Sequence, residues 1–248
     1  DLFFGVFMTT DRVNHFLFRD YEREGENRDA FLDFYAKVDE YLGRLRDALA
    51  DDVTMIVASD HGFTSLDYEF HANEWLRREG WLSFDGDDHD ALEDVADETR
   101  AYSLIPGRFY VNLEDREPRG SVPQAEYDAT RDELKAMIED LEGPDGEPVV
   151  ERVVEREDAF SGDHEDIAPD LVALPNAGFD LKAGFRGAEE VFDTGPRNGM
   201  HSFSDACLFV DDPAASVEHV DLFDVAPTIL SLMEVEYDGG VFDGRSLV

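Results

Sequence analysis

Two carboxylates and three imidazoles stand out in the sequence, because each lies beside a segment that is predicted to be a helix or a strand. They are Asp11, His15, Asp60, His61 and His201. Carboxylate oxygen and imidazole nitrogen without thiolate suit Zn²⁺ and Mn²⁺ better than a structural thiolate site. Five ligands are too many for one catalytic ion that keeps an open position. The sequence therefore predicts two divalent metal ions, with Zn²⁺ as the first expectation and Mn²⁺ as the second.

The stretch VTMIVASDHG at residues 53–62 contains Asp60 and His61. Its first five residues are mostly apolar and predict a short buried β-strand. The two candidate ligands follow at the carboxyl end of this strand, where ligands bind in open α/β sheets, and Gly62 lets the backbone turn sharply past the site. An Asp-His pair alone is more often part of a solvated turn, so the metal interpretation depends on the other three residues.

Asp11 and His15 lie four residues apart in the segment DRVNHFLF. If this segment is helical, the spacing puts both side chains on one face, where they can reach a single ion. Taken alone, the pair is better explained as an N-cap aspartate and a surface histidine. His201 follows a glycine-rich loop and precedes an apolar strand predicted at residues 206–210, and by itself it is typical of a turn.

Alternating strands and helices are expected to position these residues. The apolar run at residues 2–9 predicts a buried strand, and residues 28–50 predict the clearest amphipathic helix. Together with the strand at 53–57, this is the strand, helix, strand order of a parallel α/β sheet. Residues from about 64 to 165 contain no ligand cluster of their own, and we interpret them as an elaboration near the active site of a single domain spanning residues 1–248.

The composition is strongly acidic, with 60 Asp and Glu residues against 21 Lys and Arg and a formal net charge of -39. The acidic residues are spread among amphipathic segments, so the charge does not indicate disorder. Such a chain is typical of a protein adapted to molar salt, where the Debye length is roughly 3 Å. The sequence therefore predicts a cytoplasmic protein of an extreme halophile. It argues against binding to nucleic acid or to an anionic membrane through a basic surface.

Cys207 is the single cysteine, so the chain can form no intramolecular disulfide. The apolar run around it predicts a buried thiol. No apolar stretch approaches the length of a membrane span, so no membrane partner is expected.

Three motifs, in this order, resemble the type I phosphodiesterase and nucleotide pyrophosphatase branch of the alkaline phosphatase superfamily. The resemblance implies an α/β fold, an alkaline-phosphatase-like sandwich with a mostly parallel central sheet and helices on both faces. Weaker similarity at NEWLRREGWL, APDLV and DVAPTIL extends it over nearly the whole chain. The three motifs are TTDRVNH at residues 9–15, VASDHGF at 57–63 and NGMHSF at 198–203.

The resemblance also implies how the metal ligands are shared. Asp11, His15 and His201 match the residues that hold one ion, and Asp60 and His61 match residues that hold the second. The family uses a further Asp on its first strand and a Thr or Ser nucleophile at a helix start. Both precede the segment that matches residues 1–15, so the chain is expected to be incomplete at its N-terminus and to lack the nucleophile.

The function implied by the resemblance is two-metal-dependent hydrolysis of a small anionic phosphate ester, with a phosphodiester or nucleotide pyrophosphate bond as the expected target. Two alternatives stay open. In the first alternative, the chain is a non-catalytic metal-binding remnant. In the second, it serves another reaction of the superfamily, such as phosphomonoester, phosphonate or sulfate ester cleavage or phosphosugar mutation. Cys207 is wrongly placed for the nucleophile of a sulfatase, and a mutase would need more basic residues around the site. The sequence leaves the oligomeric state open.

Overall fold

The structure is a computed structural model that describes residues 1–86, 88–215 and 220–248. The chain divides into two compact units. The first comprises Asp1–Ser65 with Arg197–Val248, and the second comprises Leu66–Pro196. The second unit begins near the start of the expected elaboration but extends beyond residue 165. The interpretation of that segment as an elaboration of a single domain stays a prediction.

Helices and strands follow one another along both units, and no helix among the described residues is long and apolar enough to cross a membrane. In chain order the elements are α1 (Met8–Glu22), α2 (Arg28–Ala48), β1 (Ile56–Ala58), β2 (Gly62–His71), α3 (Ala72–Arg78), β3 (Ala101–Ile105), β4 (Arg108–Val111), α4 (Tyr127–Glu139), β5 (Val150–Glu155), α5 (Arg156–Ala159), β6 (Leu171–Pro175), β7 (Gly178–Lys182), β8 (Phe192–Asp193), β9 (Gly199–Ser202), β10 (Leu208–Val210) and α6 (Val225–Leu232).

In the first unit, helices α1 and α2 pack together through aromatic side chains. Phe31 of α2 is buried and stacks on Tyr21 of α1, with ring centroids 4.7 Å apart. Phe18 of α1 meets the same ring edge-on at 6.2 Å. Strand β1 pairs antiparallel with β10, and the first residues of β2 pair antiparallel with β9. This aromatic contact holds α1 in place, and α1 carries two of the candidate ligands.

Helix α1 also lies directly against β9, and Gly199 makes this contact possible. A Cβ atom at Gly199 would lie 2.2 Å from the carbonyl oxygen of Asn14 and 2.8 Å from the Cβ of Phe18. The backbone amide of Asn198 donates to the carbonyl of His15 at 2.8 Å. A glycine is therefore required where the strand touches the helix.

The second unit contains an antiparallel sheet with strand order β3-β4-β6-β5 and a smaller sheet with order β7-β2-β8. Its core is formed by aliphatic and aromatic side chains from the strands of both sheets and from α3 and α4. The fully buried large members include Phe70, Leu76, Leu82, Phe109, Leu134, Ile138, Leu171 and Phe179.

A fully buried carboxylate, Asp170, organises one side of this unit. It accepts hydrogen bonds from the Val111 amide at 2.7 Å, from the Arg116 guanidinium at 2.7 and 2.8 Å, and from the Tyr127 hydroxyl at 2.6 Å. Arg156 lies 3.2 Å from the same carboxylate. Burial, followed by the hydrogen bond to Asp170, raises the pKa of Tyr127 to about 12. The charge of Asp170 is therefore well compensated.

The prediction of an α-helix at residues 28–50 is confirmed by α2. The mostly parallel central sheet is not confirmed. Among the described residues the named strand pairs are antiparallel except for β2 with β7. The segment 53–57 contributes only its last two residues to a strand, and that strand, β1, is partly exposed.

Two further predictions are wrong. The run at residues 2–9 is not a buried strand: residues 2–7 have no regular secondary structure, α1 begins at Met8, and the side chains of Phe3 and Phe4 are exposed. In the part of the chain that the structure describes, no strand pairs with this run. The thiol of Cys207 is exposed rather than buried, because the adjoining strand β10 packs only partly against its neighbours.

Candidate metal centre

Helix α1 presents Asp11 and His15 together. The segment that contains both residues is helical, which is the condition under which their spacing puts them on one face. Oδ1 of Asp11 lies 3.6 Å from Nε2 of His15. The helix begins just before this pair, where the Thr10 hydroxyl donates to the carbonyl of Phe7 at 2.6 Å. The first two turns of α1 therefore hold both side chains at one place.

The pairing of β2 with β9 brings His201 next to the Asp-His-Gly turn. Phe63 is the register partner of His201, and His61 precedes the first residue of β2. A Cβ atom at Gly62 would lie 1.9 Å from the carbonyl oxygen of Ser204, so only glycine fits where the chain turns past β9. The imidazoles of His61 and His201 stack at a centroid distance of 3.7 Å.

Asp11 is the centre of the cluster. Its Oδ1 atom lies 3.0 Å from Nε2 of His201, 3.6 Å from Nε2 of His15 and 3.9 Å from Nε2 of His61. One ligand atom from each of Asp11, His61 and His201 lies within 4.8 Å of the others. Asp60 is at the edge: it is 3.5 Å from Nε2 of His61, and its side chain is 82 % exposed. The structure thus gathers all five predicted residues, four of them closely.

Backbone carbonyls hold two of the imidazoles. Nδ1 of His15 lies 2.9 Å from the carbonyl of Gly199, and Nδ1 of His61 lies 3.0 Å from the carbonyl of Gly62. Because a carbonyl only accepts, each Nδ1 carries the proton, which leaves the lone pair of Nε2 directed to the side of Asp11. This is the usual arrangement of metal-binding histidines, whose second nitrogen donates to a carbonyl or carboxylate.

The electrostatics of the site favour the neutral form of the His201 imidazole. Partial burial lowers the pKa of His201, and the nearby His61 and His15 lower it further, while the hydrogen bond to Asp11 acts in the opposite direction. A histidine must be deprotonated to bind a cation. The donor set of nitrogen and oxygen atoms, the fixed tautomers and the lowered pKa all fit a divalent metal.

A comparison with family models extends these observations. The model of the family described as type I phosphodiesterase / nucleotide pyrophosphatase matches residues 1–204. This chain belongs to that family. The match covers most of the chain and includes all five candidate ligands. Comparisons with curated proteins and with solved structures each gave no significant match.

Membership of the type I phosphodiesterase/nucleotide pyrophosphatase family places the chain in the alkaline phosphatase superfamily. The mixture of helices and several sheets is consistent with an alkaline-phosphatase-like fold, and the family supports a phosphoester hydrolase activity with a phosphoester substrate. Family members are typically metal-dependent, which agrees with the cluster around Asp11. The assignment of individual residues to two ions, and the identity of those ions, stay predictions.

Of the five arginines relevant to a mutase site, Arg197 lies in the first unit and the other four lie in the second. Arg116 binds Asp170, Arg119 binds Asp85 and Asp97, Arg186 lies 3.1 Å from Asp90, and Arg108 donates to a backbone carbonyl. Each of these four therefore already has a partner within its own unit.

A second group of metal-type ligands escaped the sequence analysis. Glu69, His71 and Asp193 in the second unit bring one ligand atom each within 4.8 Å of the others. The sequence contained one indication of this group: Glu69 and His71 are two residues apart, and residues two apart in a strand share a face. Asp193 could not be assigned to them without the pairing of β2 and β8.

Proposed function

We propose that this protein is a two-metal-dependent hydrolase of phosphate esters, acting on phosphodiester or nucleotide pyrophosphate bonds. Zn²⁺ is the proposed metal, with Mn²⁺ as the alternative. The observation that carries the proposal is the convergence of Asp11, His61 and His201, from a helix, a turn and a strand, within 4.8 Å of one another. This convergence occurs in a chain of the phosphodiesterase family.

The proposed ligand sets follow the family resemblance. Asp11, His15 and His201 would hold one ion, and Asp60 and His61 would hold the other. When bound, the two ions supply the positive charge that activates an oxygen nucleophile and stabilises the leaving oxygen of the phosphate ester.

Preorganisation is the first task of the protein. The carbonyls of Gly62 and Gly199 fix His61 and His15 by hydrogen bonds to Nδ1. Phe63 packs against the imidazoles: its ring centroid lies 5.1 Å from those of His15 and His201 and 5.5 Å from that of His61. These contacts hold the imidazoles in place before a cation or a substrate arrives, so little reorganisation is needed at the moment of reaction.

The negative charge of the protein also affects the binding of an anionic substrate. A protein with a net charge of -39 repels an anionic substrate, and the carboxylates of Asp11 and Asp60 add to this repulsion at the site itself. Divalent cations held by these carboxylates reverse the local sign and give a phosphate ester a place to bind. The proposal therefore ties substrate binding, as well as turnover, to the metal.

The nucleophile is not assigned. Thr9 and Thr10 adjoin Asp11, but the hydroxyl of Thr10 donates to the carbonyl of Phe7 at the start of α1, which is a local structural role. We propose that neither threonine is the nucleophile, and the predicted absence of the nucleophile from this chain stays a prediction.

The test is a substrate panel measured in molar salt. The chain is stripped of metal with a chelator, supplied with Zn²⁺ or Mn²⁺, and assayed with bis(4-nitrophenyl) phosphate, 4-nitrophenyl phosphate, 4-nitrophenyl sulfate and a phenylphosphonate ester. Because the chain is predicted to lack the nucleophile, we expect slow turnover, with the phosphodiester cleaved fastest, and we expect Asp11→Asn or His201→Asn to abolish metal-dependent cleavage. His164→Asn is the matched control, because His164 is exposed and belongs to the other unit.

The outcomes separate the alternatives. Cleavage that survives chelation, or that Asp11→Asn leaves intact, would refute the proposed site. Tight metal binding with no cleavage of any ester would favour the non-catalytic remnant, and a preference for the monoester, phosphonate or sulfate would favour another reaction of the superfamily.

A further inference from the structure

The second unit contains a cluster of ligand side chains that the proposed hydrolase does not use. Glu69 and His71 lie on β2, and Asp193 lies on β8. One ligand atom from each lies within 4.8 Å of the other two, and Nε2 of His71 is 3.0 Å from Oδ2 of Asp193. The cluster combines two carboxylates with an imidazole, which is a donor set for Zn²⁺ or Mn²⁺.

The sheet register explains why these side chains meet. Glu69 is the register partner of Asp193 on β8 and of Asp180 on β7, so three carboxylates form one row across the three strands β7, β2 and β8. His71 follows Glu69 by two residues and shares its face of the sheet. Its register partner on β7 is Lys182.

Like charges that face each other across paired strands are destabilising. Lys182 compensates part of the row, since its ammonium binds Asp180 and lies 3.6 Å from Glu69. Asp193 lies on β8, on the other side of Glu69, and Nε2 of His71 lies 3.0 Å from its carboxylate. A divalent cation bound there would add positive charge at the β8 end of the row.

The burial of the cluster is graded. The side chains of Glu69, His71 and Asp193 are 16 %, 24 % and 49 % exposed. The chain that leaves β8 passes close to Glu69, since a Cβ atom at Gly195 would lie 3.7 Å from its carboxylate. A partly covered acidic row strengthens the attraction for a cation while leaving a path for the cation to enter.

We propose that Glu69, His71 and Asp193 bind a divalent cation, Zn²⁺ or Mn²⁺, at a site distinct from the residues of the proposed hydrolase centre. The three ligand atoms are close enough for modest side-chain rotations to bring each to about 2.0–2.2 Å from one ion. Such an ion would join the two-residue strand β8 to β2. Its role is to stabilise the edge of this sheet and to neutralise the carboxylate row.

The experiment uses the full chain in molar salt with the double substitution Asp11→Asn and His201→Asn, which disables the proposed hydrolase centre. Zn²⁺ alone is titrated while the imidazole nitrogens are followed by ¹H–¹⁵N NMR. We expect the His71 Nε2 resonance to move to a metal-bound shift, the His164 resonances to stay unchanged, and the thermal midpoint to rise.

Two further substitutions in this background test the assignment. Asp193→Asn is expected to weaken Zn²⁺ binding by about tenfold or more. Lys182→Met is expected to tighten it, because it removes a cation that competes for Glu69, and a cluster with only a structural role would not show this gain. Glu69→Gln replaces Asp193→Asn if that variant fails to fold.

An unchanged His71 resonance at a tenfold excess of Zn²⁺, or equal affinity in the parent and in Asp193→Asn, would overturn the proposed cation site. Neither result bears on phosphoester hydrolysis, which is measured with a different substitution set and a different readout.

Discussion

The imidazoles of His61 and His201 stack with their ring centroids 3.7 Å apart and their planes inclined by 23°. Two rings at this distance repel each other strongly when both are protonated. Proximity to His61 is one of the causes that lower the pKa of His201, after partial burial. The environment of His201 therefore favours its neutral form, which is the state that a cation requires and that acid removes.

The first prediction concerns pH and the metal-free protein. An unfolded histidine has a pKa of about 6.5, and the pKa of His201 in the folded protein is lower, so between the two values the unfolded state binds more protons. The stability contributed by neutral His201 is complete above about pH 6.5 and is lost as the pH falls towards the folded pKa. Denaturant unfolding at several pH values should show this loss, and a smaller loss in His201→Asn. Equal slopes of the free energy of unfolding against pH for the two proteins would contradict this prediction.

A second prediction is that two metal ions bind with unequal affinity at the hydrolase centre. Asp11 contacts three imidazoles, whereas Asp60 contacts His61 and is mostly exposed. Calorimetric titration with Zn²⁺ should show a tight phase and a weak phase. Asp60→Asn should weaken only the weak phase, and Asp11→Asn should remove the tight one. The titration is performed in an Asp193→Asn background, which separates these two phases from Zn²⁺ binding at the cluster in the second unit.

The opposite result would be two equally tight phases, both unaffected by Asp60→Asn. That outcome would mean that the ligands are shared between the ions in another way than the family resemblance implies.

A third prediction concerns the contact between α1 and β9. Gly199→Ala would place a Cβ atom 2.2 Å from the Asn14 carbonyl, which belongs to a helix backbone and cannot move cheaply. We expect a loss of about 1–3 kcal/mol in the free energy of unfolding, together with weaker metal binding, because His15 is held by the Gly199 carbonyl. Gly43→Ala in α2 is the matched control.

Among the described residues, no atom outside the adjoining residues and the local helix backbone lies within 4 Å of the position of a Cβ at Gly43. Alanine there should therefore be neutral or stabilising by about 0.5–1 kcal/mol. Equal effects of the two substitutions would show that the close approach at Gly199 is not a constraint.

The spacing of residues along the sequence predicted the structural features that depend only on sequence neighbours. The four-residue separation of Asp11 and His15 and the apolar period of α2 both correspond to helices in the structure. An apolar run alone does not indicate whether a neighbouring strand pairs with it. The prediction of a strand at residues 2–9 was wrong because a strand needs a partner, and none of the described strands pairs with this run. Periodicity indicates the element only when the periodic face has something to pack against.

Long-range pairing could not be predicted in the same way. His201 meets Asp11 across 190 residues because α1 packs against β9, and Asp193 meets His71 across 122 residues because β8 pairs with the end of β2. Motifs of the family compensated for this in the first case, and nothing in the sequence did so in the second. The residues of the first site could therefore be listed from the sequence, whereas the residues of the second cluster could be identified only from the sheet register.

A fourth prediction concerns the buried carboxylate of the second unit. Asp170→Asn removes the negative charge that Arg116 and Arg156 share and leaves both guanidinium groups without their main partner in a buried place. We expect a loss of about 3–5 kcal/mol in the free energy of unfolding, measured by denaturant titration. Tyr127→Phe, which removes one neutral donor to Asp170, should cost about 1–3 kcal/mol. A loss for Asp170→Asn no larger than that for Tyr127→Phe would contradict the central role of the carboxylate.

The last prediction concerns salt and bears on the expectation of a halophilic source. With a net charge of -39, self-repulsion acts across the molecule in dilute buffer, where the Debye length is about 10 Å at 0.1 M, and is screened at about 3 Å in 1 M salt. We expect the thermal midpoint to rise steeply with NaCl concentration, and the fold to be lost in low-salt buffer. Sucrose at matched water activity is the control, because it favours compact states without screening charge. A sharp transition at the same temperature in low salt would refute the adaptation to molar salt, and equal rescue by sucrose would show that charge repulsion is not its cause.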